Sequence, residues 1–287
     1  SGNLTNLAKD CADFCIAHHL SNSRIGLVTG DNVMDEMPSS LFAVLQNALP
    51  NVIWIDANNI VQNARLIKES DEFEALRISA RLADIGIQAA KKIIKPGISE
   101  YEVVAATEAE MRRGGADAYL VVIASKGLSE LIGPPENKIL QTGDNVILEA
   151  AVQKDGYWTQ VAQVGYVGGS SEAQSKIYRD TYQAFIEGVD AIHPGKTCRE
   201  IAQVIQSSLE KSGYSGAIEQ DYGHGIGLDL PEPPRIELTD NTIIQKGMVL
   251  VIHPAVRQKG IGGAFIGGTV LVHDDHAEII HNIPPCA

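Results

Sequence analysis

Apolar positions along this chain alternate between two periods. A spacing of three to four residues, the mark of a helix with one buried face, runs from Leu4 to Leu20 and from Pro38 to Leu49. The same period flanks two proline-glycine corners, Lys95-Pro96-Gly97 and His193-Pro194-Gly195. Pro38 suits the first turn of its helix, where its missing N–H costs nothing. Apolar and β-branched runs predict strands over Arg24 to Val28, Asn51 to Asp56, Tyr119 to Ala124, Asn145 to Val152, Thr159 to Val167, Met248 to Val256 and Thr269 to His273. Lys154-Asp155-Gly156 carries the Asp-Gly signal that joins two of these runs in a hairpin.

The two corners belong to a repeat. Lys95-Pro96-Gly97-Ile98-Ser99-Glu100-Tyr101-Glu102-Val103 recurs as His193-Pro194-Gly195-Lys196-Thr197-Cys198-Arg199-Glu200-Ile201. In each copy proline and glycine end one helix, and a capping box, Ser99 with Glu102 or Thr197 with Glu200, starts the next. Strand-like segments follow both copies. The pattern predicts two α-α-β-β halves, near 72 to 165 and 174 to 275, related by a pseudo-twofold around a central cleft. No linker or low-complexity tract interrupts 72 to 280, so this stretch reads as one domain. Upstream of it, the first 66 residues read as a small βαβ-type unit.

Bulk properties narrow the partners. A length of 287 residues at 44% hydrophobic supports a sizeable core. A net charge of −13 argues against nucleic acid and against an anionic membrane surface. No apolar run reaches the roughly 20 residues of a bilayer span, and the first residues lack a basic-then-apolar leader; the expected compartment is the cytoplasm. Cys11, Cys15, Cys198 and Cys286 form no disulfide or zinc-ribbon pattern. Cys11 and Cys15, one helical turn apart, read as buried small hydrophobes. Gly262 to Gly268 has a phosphate-loop composition but precedes a strand, so it reads as a flexible glycine-rich strand edge. Ser125-Lys126 lacks the spacing of a nucleophile motif. His18-His19 and the His273 to His276 cluster read as solvated surface.

Residues 68 to 280 resemble the peptidase M24, or pita-bread, family of prolidase, aminopeptidase P, methionine aminopeptidase and creatinase. The resemblance rests on landmarks in order: Ile67-Lys68-Glu69-Ser70, Lys95-Pro96-Gly97, Gly143-Asp144, Gly156-Tyr157, Gly223-His224-Gly225-Ile226-Gly227, Gly247-Met248-Val249 with Pro254, and Gly262-Gly263 before Thr269. It implies an α+β pita-bread fold over 67 to 287, preceded over 1 to 66 by a small α/β domain about half the length usual in the two-domain branch. That domain is either reduced, or its first half is absent from the sequence.

In the family, two aspartates, a histidine and two glutamates hold two divalent cations that activate a bridging water. Carried over, these positions are Glu149, Gln160, His224, His253 and Gly267. Only His224 is unchanged. Two close cations would face at most one carboxylate, so their repulsion is uncompensated, and no dinuclear metal is expected. The substrate-facing loop histidine of the peptidases falls on Ile132 and a second histidine on Pro231; creatinase, which works without metal, differs here at Ile132 and His253. Glu149, His224 and His253 stand as candidate catalytic residues, with Gln160, Ile132 and Pro231 as candidate substrate contacts. Two imidazoles and a carboxylate suit either the binding of a single divalent metal or acid/base chemistry with no cofactor, unless they are relics in a satisfied polar core.

The expected function is a metal-free or mononuclear hydrolase or lyase acting on a C–N bond of a small amino-acid-like molecule. The alternatives are an inactive binding module for a small molecule, short peptide or protein, and an Xaa-Pro dipeptidase or aminopeptidase. A homodimer is the expected assembly.

Overall fold

A computed structural model of the chain describes residues 4–28, 38–125, 132–215 and 222–285; Lys126 and Cys286 lie outside them. It divides into two compact units, Ser1–Arg65 and Leu66–Ala287.

In the first unit, α1 (Leu4–Ala17) and α2 (Ser39–Ala48) pack on a two-stranded parallel sheet, β1 (Arg24–Leu27) and β2 (Ile53–Asp56), and α3 (Asn58–Leu66) leads out. Ala8, Ala12, Leu45, Leu49 and Val52 form its core. The cysteine reading is corrected here. The buried stripe of α1 falls on Ala8 and Ala12, which turns Cys11 to solvent and leaves Cys15 half-buried.

The second unit starts with a helix pair, α4 (Ser70–Ile93) and α5 (Glu100–Arg113), followed by β3 (Ala118–Ala124), β4 (Asn145–Lys154) and β5 (Tyr157–Tyr166). A second pair, α6 (Glu172–Asp190) and α7 (Cys198–Lys211), is followed by β6 (Gly223–Gly225), β7 (Glu232–Arg235), β8 (Val249–Ile252), β9 (Ala255–Gln258), β10 (Gly262–Phe265), β11 (Gly267–Val272) and β12 (Ala277–Ile279). Ser99 and Thr197 cap α5 and α7, each accepting from the backbone N–H three residues on while Glu102 or Glu200 accepts from the cap's own N–H. The glycines before them share one left-handed geometry, φ +92° at Gly97 and +95° at Gly195, where a side chain would be strained. Both corners are also tied alike, Gly97 N–H to the Leu140 carbonyl and Gly195 N–H to that of Ile244. The repeated sequence thus builds a repeated structure.

An antiparallel sheet in the order β3-β4-β5-β11-β8-β6-β7, with β12 alongside β11, joins the halves. One core packs α4 and α5 on β3 to β5, through Ala83, Ile87, Val103, Met111, Leu148 and Val161. Another packs α6 and α7 on the second half, through Phe185, Ile201, Ile205, Leu250 and Ile252.

Two strand expectations change. The run from Met248 to Val256 is two strands, because the ladder stops at His253-Pro254, where proline has no N–H to donate, and Ala255–Gln258 turns into a hairpin with β10. Gly267 and Gly268 do not form a flexible edge. They lie in β11, buried between β5 and β8.

Candidate functional site

The site is assembled by strand register. Asp155 (φ 51°) and Gly156 (φ 87°) make the two-residue turn between β4 and β5, with positive φ at both positions as the favoured hairpin turn requires. That turn sets Glu149 opposite Ala162, and Ala162 faces Gly267 on the next strand. Directly opposed residues, and residues two apart on one strand, share a face. Glu149, Gln160 and Gly267 therefore occupy one face, opposite to the helix-packed face that holds Leu148 and Val161. His224 does not sit in a loop. It is the middle residue of the short strand β6, paired with Val251 of β8, and His253 follows two residues after Val251 on the same face. The rings of His224 and His253 lie with centroids 5.3 Å apart, and the Gln160 side-chain amide donates to Glu149 Oε1.

Of the remaining candidates, Ile132 packs with Ile147, Ala255 and Phe265 beside this face, along a narrow apolar crevice that also includes Arg257. The Phe265 ring reaches to 5.0 Å from that of His253. Pro231 is half-buried in the bend between β6 and β7. A larger groove between Gln88 and Lys92 of α4 and Ala106 and Arg113 of α5 lies on the helix side of the sheet, away from these residues.

The two partners of each pair differ in what their surroundings ask of them. Glu149 keeps a partial opening to solvent but is otherwise enclosed by protein, and burial pushes its carboxyl from 4.5 up to about 7. Burial, and next the neighbouring His253, press the His224 imidazole from 6.5 down to about 3. His224 Nδ1 lies 2.8 Å from the Gly225 carbonyl. A carbonyl only accepts, so Nδ1 carries the proton and Nε2 keeps its lone pair. At neutral pH the site holds a neutral imidazole of fixed tautomer and a carboxyl group poised between its two states. The Gln160 main chain is held in place, its backbone N–H donating to Thr269 Oγ1 at 3.0 Å while that hydroxyl donates to the Gln160 backbone carbonyl at 3.2 Å.

These residues do not fit a pair of divalent cations. Gly267 offers no donor, and a Cβ built there would fall 1.8 Å from the Ile252 carbonyl oxygen and 2.6 Å from His253 Cα; the strand is too close for any side chain. Gln160 is uncharged and engaged with Glu149. Among the described residues, no three His, Cys, Asp or Glu side chains are grouped to hold an ion, so the third donor of a mononuclear site is not assembled with His224 and His253.

Sequence reasoning did not find Phe265, hidden in a glycine-rich run, or the ion pair of Lys68 with Glu232. Lys68 Nζ donates to Glu232 Oε2 at 2.8 Å with both side chains almost fully buried. The one available signal was the charge of Glu232 between two prolines in Pro231-Glu232-Pro233; Lys68 stands among the charges of Arg65 and Glu69, and a separation of 164 residues hid the pairing.

The profile of metallopeptidase family M24 matches residues 74–274. An Xaa-Pro dipeptidase of Pyrococcus furiosus is 31% identical over 224 residues, 77% of this chain and 64% of the relative; the chain thus spans less than two-thirds of that protein's length. A putative dipeptidase of Bacillus subtilis is 28% identical over 253 residues, 87% of this chain and 70% of the relative. Among solved structures, the prolidase from Pyrococcus furiosus superposes with a TM-score of 0.84 at 26% identity, covering 94% of this chain and 80% of that one. An Xaa-Pro dipeptidase from Bacillus anthracis gives 0.86 at 27%, covering 99% and 78%. On this profile match and these superpositions, the chain belongs to metallopeptidase family M24 and has its pita-bread fold.

Proposed function

We propose that this protein binds a small amino-acid-derived or dipeptide-like molecule in the cleft and hydrolyses its C–N bond with carboxyl and imidazole groups in place of two metal ions. The observation that carries the reading is a carboxyl of pKa about 7 on the same sheet face as a neutral histidine of fixed tautomer. A general base works best when its pKa lies near the operating pH. In the proposed reaction the Glu149 carboxylate takes a proton from water as the water oxygen adds to the carbonyl carbon. The C–N bond then breaks, and the same proton passes to the departing nitrogen. His224, through the bare Nε2, accepts a hydrogen bond from the water or the substrate N–H. Gln160 holds the Glu149 side chain, and Ile132 and Phe265 shield the cleft from bulk water.

The names of the relatives favour a second reading, Xaa-Pro dipeptide cleavage. One assay separates the two: dipeptides, Xaa-Pro dipeptides and N-acyl amino acids are incubated with purified protein, with chelator or with added manganese or cobalt. Chelator-resistant hydrolysis, lost in Glu149→Gln and His224→Ala, supports the first reading. Metal-dependent release of proline supports the second, and binding without turnover in every arm rejects both in favour of a binding module. We also propose a cytoplasmic homodimer, for which sedimentation at twice the 30.8 kDa chain mass is the check.

A further inference from the structure

The strand that carries His224 is held from behind by a charge pair with no part in the proposed reaction. Lys68 Nζ and Glu232 Oε2 are 2.8 Å apart and buried. The second oxygen of Glu232 is occupied as well, accepting from the Asp229 N–H at 3.1 Å. The chain between His224 and Glu232 wraps closely over this pair. A Cβ on Gly227 would lie 2.6 Å from Lys68 Cε and 3.1 Å from Glu232 Oε1. Glu232 itself stands opposite Gly225 in the β6–β7 ladder, at the register shift next to His224. At Gly225 a Cβ would fall 2.2 Å from the Pro233 carbonyl oxygen and 3.0 Å from that of Glu232. The Gly225 carbonyl is the group that accepts from His224 Nδ1.

The other end of the pair is tied to the second histidine strand. Lys68 N–H donates to the Gly247 carbonyl at 2.8 Å, two residues before β8, the strand that ends just ahead of His253. Gly247 leaves no room for slippage, since a Cβ there would lie 3.0 Å from the Lys68 carbonyl oxygen. Desolvating two charges is expensive, and a buried pair often adds little to stability compared with apolar groups of the same size. Its value here lies in fixing position.

We propose that Lys68 and Glu232 are positioning residues: the pair clamps the Gly225 to Glu232 segment so that the Gly225 carbonyl holds His224 as its Nδ1–H tautomer, with Nε2 bare toward the cleft. Neither side chain touches substrate. The claim concerns the resting protein, so it stands or falls apart from whether the site turns anything over.

Nitrogen-15 histidine NMR at neutral pH tests it on the full chain. In the unmodified protein His224, assigned by its loss in His224→Ala, should give one unprotonated Nε2 signal and one protonated Nδ1 signal. Glu232→Gln keeps the shape but removes the charge, and should move His224 toward a mixture of tautomers while the signals of His281, whose Nδ1 lies 3.2 Å from Asp84 Oδ1, stay in place. Lys68→Arg keeps the charge and should preserve the single tautomer. Because Glu232→Gln leaves a lysine buried without its counter-ion, the double variant Lys68→Met with Glu232→Gln serves where the single one fails to fold, with the same shift expected. A folded Glu232→Gln or double variant that retains the single Nδ1–H tautomer of His224 would overturn the proposal and reduce the pair to a structural contact.

Discussion

At the scale of single residues the site is defined by what burial does to its side chains. Glu149 has the raised carboxyl of an enclosed acid, about 7 against 4.5, so the folded state holds its proton more tightly than the unfolded state does. Linkage then makes this residue's contribution favourable below about pH 4.5 and lost as pH rises through 7. Glu149→Gln should therefore leave stability nearly unchanged at acid pH and increase it above pH 7, as read from denaturant midpoints across that range. His224 has the opposite sense: its lowered value, about 3 against 6.5, means that protons bind the unfolded chain first, so stability is lost as pH falls below 6.5. His224→Gln should flatten that acid limb. Gly267 supplies a third test. With its missing Cβ only 1.8 Å from a main-chain oxygen, Gly267→Ala should cost about 2 to 4 kcal/mol through overpacking and backbone displacement, and a glutamate restored there should cost at least as much without recreating a metal ligand.

Secondary-structure elements are where the sequence was most readable. Ser99 with Glu102 and Thr197 with Glu200 announce two helix starts, and both caps form as their spacing implies. Ser99→Ala and Thr197→Ala should each cost about 1 kcal/mol in thermal or denaturant unfolding. The caps begin different helices in different halves, so the double variant should show the sum of the two losses. The Asp155-Gly156 turn was equally legible, because two positive φ angles in succession demand such residues. Strand boundaries near the site were not. Pro254 splits one apolar run into β8 and β9, and Gly267 and Gly268 turn out to fill the interior of the main sheet rather than its rim. Their role is to let β11 lie against the Ile252 carbonyl, a contact made across strands distant in sequence, which local composition does not express. The same limit applies to Lys68 with Glu232. The positions of Glu149, Gln160, His224 and His253 were legible because ordered landmarks fixed them; that Gln160 binds Glu149 while the His224 ring lies tilted beside that of His253 needed the register.

For the molecule as a whole, the family scaffold is retained, while Glu149, Gln160, His253 and Gly267 stand at positions where the resemblance implies other residues. The helix pairs and the antiparallel sheet superpose on solved prolidase and dipeptidase structures, and fold alone does not fix function. Among the described residues no helix is long and apolar enough to cross a membrane. An apolar crevice bordered by Ile132 and Phe265 lies beside the sheet face that carries Glu149, Gln160, His224 and His253. The central claim is that this cleft operates without a dinuclear metal centre, and calorimetric titration of the chelator-treated protein with manganese or cobalt addresses it most directly. No binding step of two equivalents per chain is expected, and His224→Ala should give the same heat trace. Two equivalents bound per chain, with that step abolished in His224→Ala, would contradict the claim.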